Sequence, residues 1–367
     1  MAVRKTGHEE HTGVDRGPDG LAGDGQGRGR VRVRVAVIGA GAMGRNHMRV
    51  LRDLEACELV GVADVNEATA QQAARRFAVP AFTDYRRLLD RAAPEAVVVA
   101  VPTALHRDVS LEAISRGVHV LVEKPIASTV EEGREMIQAA QGAGVVFTVG
   151  HIERYNPAIL ELHRRLRQAE LGRVFQMHAR RLGPFPPRVR DVGVVIDLAT
   201  HDIDIMRLLT GSEVVRVHAE TARRIHTEHE DLLSGLLRFA DGAIGVLDIN
   251  WLTPTKVREL MVTGEKGMFV VNYLTQDLYF YENNYARTDW DALSTIEGVS
   301  EGDMIRPHIE KAEPLKVELD SFVRAVRGEP VPLVSGEDGL AALRIARMLV
   351  QAGLEGRVIE ADEVALT

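Results

Sequence analysis

The chain has 367 residues, 45% of them hydrophobic and 27% charged, with a formal net charge of -8. That length suffices for two domains with sizeable cores, and the acidic balance excludes a general nucleic-acid binder while leaving room for a phosphorylated ligand held by a few arginines. The single cysteine, Cys57, excludes an internal disulfide, points to a reducing compartment and makes a poor start for a metal site, so no metal is expected.

Residues 1–30 contain 8 Gly among mixed acids and bases. They read as a disordered tail, an overlong translation start or an expression remnant, with no catalytic role. They lack the apolar centre of a signal peptide, and no apolar run approaches bilayer length, so a cytoplasmic protein without membrane contact is expected.

From Val31 short apolar runs alternate with helix-like stretches. VRVRVAVIG predicts a strand, and a glycine loop leads into a helix ending near Leu54. ELVGVADV predicts a second strand and NEATAQQAARRF a helix. EAVVVAVP is apolar throughout, as a parallel strand covered on both faces should be. LHRDVSLEAISRG, VHVLVEKP, TVEEGREMIQAAQGAG and VVFTVG continue the alternation. Repeated β–α units of this length predict an α/β, doubly wound parallel sheet over residues 31–150.

After about Gly150 the pattern changes. RVFQMHARRL, EVVRVHAETARR, DLLSGLLRFA, GAIGVLDINWL, VRELMVTG and GMFVVNYL are longer and alternate more. Asp241-Gly242 and Glu265-Lys266-Gly267 are hairpin signals, so residues 151–367 predict an α+β domain with a large, mainly antiparallel sheet. One helix interrupts it, from about Val195 to Leu209. Two close the chain, near Leu315–Val326 and Glu337–Gln351, and are able to pack back on the first domain.

The loop Gly39-Ala40-Gly41-Ala42-Met43-Gly44 fits GxGxxG. Alone the pattern is weak. Its place after an apolar strand and before a helix is where glycines let backbone approach a pyrophosphate and a helix N-terminus offers unpaired N–H groups. Asp64, 20 residues after Gly44, ends the second strand. A carboxylate there accepts from the adenosine ribose hydroxyls and repels a 2′-phosphate, which favours NAD over NADP. The competing reading is a glycine-rich turn with a chance aspartate.

Two further polar segments follow strand ends, where α/β sheets bind ligands. They are Val101-Pro102-Thr103-Ala104-Leu105-His106 and Glu123-Lys124-Pro125. A lysine between a strand and a proline is held on a rigid base. It is suited to bonding a substrate hydroxyl and lowering its pKa as hydride leaves the carbon, or it is simply a surface lysine. Asp197, His201 and Asp204, spaced four and three apart, share one stripe of an otherwise apolar helix. That stripe faces either solvent or a cleft. Histidine is the side chain suited to accepting a proton near neutral pH, and a carboxylate one turn away orients it.

These residues resemble the Gfo/Idh/MocA oxidoreductase family from about Val33 to Glu360. The resemblance rests on AVIGAGAMGRNH, VPTALH, EKPIAST, the Asp197-xxx-His201 pair, EPLKVELDSFVRAVRGEPVP and GEDGLAALRIA in that order. It implies a Rossmann domain followed by a domain with an open-faced sheet. It implies Lys124, Asp197 and His201 as the catalytic group: His201 the proton acceptor, Lys124 the cation orienting the hydroxyl, Asp197 a substrate contact or partner. It also implies that Pro102, Thr103, His106 and Glu123 line the dinucleotide, and that the Lys124–Pro125 peptide is often cis. GHIERYNPAI and RRLGPFPPRVRDVGVVIDLATHDIDIM are similar to the UDP-N-acetylglucosamine 3-dehydrogenase group. Arg154, Asn156, Arg180 and Arg181 become substrate-binding candidates beside readings as helix-start and strand-surface residues. Arg188 and Arg190 lie in a proline-rich loop suited to a diphosphate. The chain carries DVGVV where many members have a glycine-rich approach to the helix.

The leading expectation is therefore an NAD-dependent sugar dehydrogenase acting on the 3-hydroxyl of a UDP-N-acetylhexosamine. The alternatives are an inositol or free-sugar dehydrogenase, an NAD-dependent glycosidase that oxidises its sugar only transiently, and a non-catalytic dinucleotide sensor. An open-faced sheet also predicts pairing into a homodimer or homotetramer.

Overall fold

The computed structural model describes residues 32–186, 192–225, 228–286 and 298–363; the expected N-terminal tail lies outside them. Arg32 onward forms one compact unit.

The first sheet has six strands: β1 (Val33–Ile38), β2 (Cys57–Ala63), β3 (Ala81–Phe82), β4 (Ala96–Val99), β5 (His119–Glu123) and β6 (Phe147–Gly150). Their order is β3-β2-β1-β4-β5-β6, and every pair is parallel. The helices between them are α1 (Ala42–Asp53), α2 (Glu67–Phe77), α3 (Tyr85–Ala92), α4 (His106–Ser115) and α5 (Val130–Ala143). β3 and α3 are additions to the expected elements, and at two and eight residues they are too short for periodicity to announce. The centre of the sheet is sealed on both faces: Val35, Val37, Val97, Val98, Val99, Val120 and Leu121 are fully buried, which is why these strands are apolar without alternation. Cys57 is buried here, with Sγ near Leu51 O at 3.0 Å.

After α6 (Pro157–Arg167) the chain builds a second sheet from β7 (Val174–Pro184), β8 (Val214–Ala222), β9 (Leu232–Phe239), β10 (Ile244–Asn250), β11 (Leu252–Gly264), β12 (Gly267–Asn272), β13 (Asp277–Ala286), β14 (Gly298–Ile305) and β15 (Ile359–Glu360). The order is β14-β13-β12-β11-β7-β10-β9-β8-β15. All pairs are antiparallel except β7 with β10. Burial alternates along β9 and β10, so one face carries the core and the other looks outward. Both anticipated hairpins form, β9–β10 and β11–β12.

The expected helix near Val195 begins as a π-helical turn, Val195–Ala199, and continues as α7 (Thr200–Thr210). Two helices close the chain. α8 (Pro314–Val326) inserts Leu315, Leu319, Phe322 and Val323 into the core beneath β1 and α1. α9 (Gly336–Glu355) starts with a capping box in which Ser335 and Asp338 satisfy each other's backbone N–H groups. A Cβ at Gly339 would lie 2.7 Å from Val149, so this glycine lets α9 lie directly on β6 and brings Asp338 beside the end of that strand.

Candidate active site

The dinucleotide loop is shaped by close approach. Gly39 has φ +100°, and a Cβ there would sit 2.3 Å from Ala100 O. A Cβ on Gly44 would sit 1.8 Å from Gly39 O, so α1 starts tight against the loop. At Gly41, by contrast, nothing lies within 4 Å of the Cβ position. Gly41 is also the N-cap of α1, with no side-chain cap and no acid in the first turn. The leading N–H groups of α1 are thus left for an external anion. Asp64 follows β2, and its two carboxylate oxygens accept from Ala40 N at 2.8 Å and Asn66 N at 2.9 Å. It is thereby fixed at the mouth of a cavity of about 580 Å³ that Gly39, Gly41, Tyr85 and Pro102 also line. A second cavity of about 620 Å³ shares Gly41 and Pro102 and continues past Ala42, Met43, Thr103, His106, Glu123 and Lys124 to Asp197. The anion-ready helix end, the carboxylate and this joined track suit a dinucleotide.

At the far end of the track, β5 delivers Glu123 and Lys124, and the Lys124–Pro125 peptide is cis. Lys124 Nζ donates to Asp197 Oδ1 at 2.8 Å and to Asp197 O at 2.6 Å, with the two side chains only 15% and 12% exposed. An ammonium has three donors, so one is left for a ligand. Glu123 accepts from its own neighbour, Lys124 N, and pairs with buried His47 Nε2 at 2.7 Å. Burial alone would raise the Glu123 pKa. The hydrogen bond and charge of His47, with Lys124 and His106, outweigh it and hold the carboxyl below its ordinary range. His106 has Nδ1 2.9 Å from Pro125 O and Nε2 3.0 Å from Val101 O. Only an imidazolium would donate to both. Burial is the larger effect and depresses the pKa, so the ring is neutral and one of the two is merely a contact.

His201 stands one turn beyond Asp197. The residue as a whole is half-buried. Its Nδ1 is enclosed and no protein group bonds it, which leaves Nε2 for the accessible side. Burial, then the charges of Lys124 and Arg181, push its pKa well below 6.5. A neutral imidazole close enough to a lysine to feel its charge is a proton acceptor at neutral pH.

Comparison with known proteins agrees with this geometry. Residues 33–151 match the profile of an oxidoreductase family with an NAD-binding Rossmann fold, Gfo/Idh/MocA, and residues 159–270 match the C-terminal domain of the same family. UDP-N-acetylglucosamine 3-dehydrogenase of Acidithiobacillus ferrooxidans is 30% identical over 321 residues, covering 87% of this chain and 97% of that protein. The chain belongs to the Gfo/Idh/MocA oxidoreductase family. It is an NAD-dependent oxidoreductase. A solved structure of the Acidithiobacillus enzyme superposes with a TM-score of 0.77, covering 88% of this chain and 97% of that one. Inositol 2-dehydrogenase 2 of Saccharopolyspora erythraea is also 30% identical, over 87% of this chain and 92% of that protein. GenD2 from gentamicin A biosynthesis, solved in complex with NAD, is 27% identical with a TM-score of 0.76, over 90% of this chain and 96% of that one.

Within this family member the polar stripe of the Val195–Thr210 helix does not face solvent. Asp197 lines the track, His201 lies within reach of the Lys124 charge, and Asp204, 1% exposed, is buried. Arg154 binds Asp204 through Nε at 2.7 Å and Nη2 at 2.5 Å, and Asp338 through Nη1 at 3.0 Å. Arg181 is buried against Asp202 at 2.6 and 3.0 Å and Glu153 at 2.9 Å, with its guanidinium over the Tyr273 ring. The Asn156 side chain caps α6 by accepting from Ala158 N and donates to Tyr273 O. These three candidates therefore have their polar groups engaged by the protein itself. Arg180 is half-exposed on β7, 3.4 Å from Glu259 and 3.8 Å from Asp248. Arg188 and Arg190 lie outside the described residues.

Two residues near the site carry no sequence signal of their own. Arg258, in mid-β11, donates to Leu182 O and Val257 O and has its pKa pushed down to about 10 by burial and by Arg181. His151, directly after β6, is buried beside His201. The GHIERYNP segment contained it, but only its arginine and asparagine read as candidates.

Proposed function

We propose that this protein oxidises a ring hydroxyl of a sugar to a ketone, with the 3-hydroxyl of UDP-N-acetylglucosamine or a related UDP-sugar as its substrate. The observation that carries the reading is the Lys124–Asp197 pair at the end of the dinucleotide track, with its charge acting on neutral His201.

Asp197 holds the ammonium of Lys124 through two acceptors, and the third N–H of Lys124 bonds the substrate oxygen. That bond strengthens as alkoxide character develops, which is where a preorganised cation lowers the barrier. His201 takes the hydroxyl proton on Nε2. The oxygen's freed electron pair closes the C=O bond while the carbon gives up its hydrogen with both bonding electrons. NAD, held through the α1 N-terminus and Asp64, supplies the hydride acceptor. Arg180, half-exposed on β7, stays a proposed substrate contact, and Arg188 and Arg190 stay proposed on their sequence alone, as cations suited to a diphosphate. Arg154, Asn156 and Arg181 act behind the site through the groups they already hold.

Support for a UDP-sugar comes from the 30% identity to the Acidithiobacillus enzyme over nearly its whole length. The equal identity to an inositol dehydrogenase favours a cyclitol as the second reading. The test is NADH formation, followed by absorbance, with UDP-N-acetylglucosamine and myo-inositol in parallel. Lys124→Ala and His201→Ala are each expected to lower kcat about 10²- to 10⁴-fold. Normal turnover by both variants refutes the mechanism. Sugar release without net NADH identifies the glycosidase, and tight NAD binding without turnover on a broad panel identifies the sensor.

A further inference from the structure

His201 must dispose of the proton it takes, and the structure places a second enclosed imidazole beside it. His151 is 1% exposed. The two rings meet edge to face, centroids 6.3 Å apart and planes at 84°. No protein group hydrogen-bonds His151 Nδ1, His151 Nε2 or His201 Nδ1, so three enclosed nitrogens occur on two neighbouring rings. Buried polar atoms nearly always have a partner, and ordered water is the usual one where protein groups are absent. The ring separation is too wide for a direct N–H···N bond, so a proton passes between the two rings only through an intervening water.

The charges around the pair give the path a direction. His201 is faced by Lys124 after β5, Arg181 on β7 and Arg258 on β11, all cations. His151 is faced by Arg154 and Lys124, but also by Asp338 on α9 and by Asp204 on α7, whose Oδ2 is 3.9 Å from His151 Nδ1. A proton is therefore better tolerated on His151, which has a carboxylate within 4 Å, than on His201.

We propose that His151 is a positioning and relay residue, the second station of the proton path from the substrate hydroxyl. The inference rests on His201 being the base. His201 starts with its proton on Nδ1 and Nε2 free. It gains the hydroxyl proton on Nε2 and releases the Nδ1 proton to a bridging water, which passes one of its own to His151. His201 ends neutral in the opposite tautomer, the water is unchanged, and the proton released by the oxidation rests on His151 beside Asp204. The pair resets when His201 gives its Nε2 proton to solvent on the accessible side and takes a proton back on Nδ1 from His151 through the bridging water.

The test uses the full-length, NAD-loaded protein. Nitrogen-15 NMR of the histidine rings in the wild type should show His201 as the Nδ1–H tautomer at pH 7. The Nε2–H tautomer overturns the relay, and this readout needs neither turnover nor a variant. His151→Phe fills the same space without nitrogens, and His151→Asn keeps a hydrogen bond to water but cannot shuttle a proton. Both are expected to lower kcat at least 10-fold with KM within 3-fold, to steepen the acid limb of the kcat–pH profile and to raise the solvent deuterium isotope effect on kcat. Wild-type kcat, pH profile and isotope effect in either folded variant overturn the proposal. Failure of the underlying dehydrogenase reading looks different: Lys124→Ala and His201→Ala then retain turnover whatever His151 does.

Discussion

Replacing Arg154 with alanine separates a stabilising role from a substrate contact. In the structure its guanidinium makes a two-pronged contact with Asp204 at 2.7 and 2.5 Å and a third bond to Asp338 at 3.0 Å. Asp204 is 1% exposed and Asp338 29%. Removing one partner of a buried pair costs about 3–5 kcal/mol, because the remaining charge keeps its desolvation penalty. His151, with Nδ1 3.9 Å from Asp204, stands ready to take a proton and offset part of the loss. The expectation is therefore the low end, about 3 kcal/mol. In a chain of this size that lowers Tm by about 6 °C, taking roughly 2 °C per kcal/mol. Adding Asp204→Asn to Arg154→Ala removes the stranded charge and should recover about 1–2 kcal/mol. The assay is thermal unfolding of the NAD-free protein at pH 7 and one scan rate, with KM for the sugar measured in parallel. An unchanged midpoint with a KM raised 10-fold or more would show that Arg154 serves the substrate and not the fold.

Three further outcomes follow from the same structure. Asp64→Ala should weaken NAD about 10- to 100-fold, the worth of hydrogen bonds to a charged group, and narrow the preference over NADP; an unchanged cofactor ratio in KM measurements removes Asp64 from the argument. Glu318, buried in α8 with neither carboxyl oxygen bonded by a protein group, has its pKa raised well above 4.5 by burial and then by Glu123. The folded protein keeps this proton above pH 4.5 while the unfolded chain loses it, so stability falls as pH rises through that window. Glu318→Gln should gain on wild type by about 1.4 kcal/mol per pH unit above that point in urea unfolding, and a pH-independent difference contradicts the assignment. His201, His151 and His106 have depressed pKa values, chiefly from burial, and are neutral when folded. The unfolded chain takes up their protons below about 6.5, so stability present above that pH is lost as it falls, and the acid limb of kcat/KM should lie below 6.5. A limb at or above 6.5 would mean that His201 is not the base.

Much of the site was legible because its chemistry is local. Gly39 and Gly44 answer to contacts within the loop and with Ala100, so only glycine fits and the pattern shows. Lys124 sits where an apolar strand ends. What the sequence conceals is pairing across distance. Arg154 meets Asp204 fifty positions away, and Arg181 meets Asp202 twenty-one away, so both read as free cations while the fold supplies their partners. Nor does spacing reveal the π turn: Asp197 and His201, four apart, fit an α-helical stripe, yet Asp197 lies in that turn and lines the track, His201 follows it on α7 and Asp204 is buried. Likewise, the parallel pairing of β7 with β10 follows from β8 and β9 filling the sheet beyond β10, an ordering that no single strand encodes.

These distant pairings also explain the electrostatics of the base. Lys124 is matched by Asp197, Arg181 by Asp202 and Glu153, and Arg154 by Asp204 and Asp338. Arg258 donates instead to two backbone carbonyls. The charges that act most on the His201 ring are nonetheless cationic: Lys124, Arg181 and Arg258. This cationic field, added to the larger effect of burial, is unfavourable to an imidazolium, which keeps the base neutral and obliges it to release its proton. It is favourable to an oxygen gaining negative charge at the same place. One arrangement of charge therefore serves both ends of the proton transfer. A lone acid moved to the near side of His201 would raise its pKa and repel the developing alkoxide together.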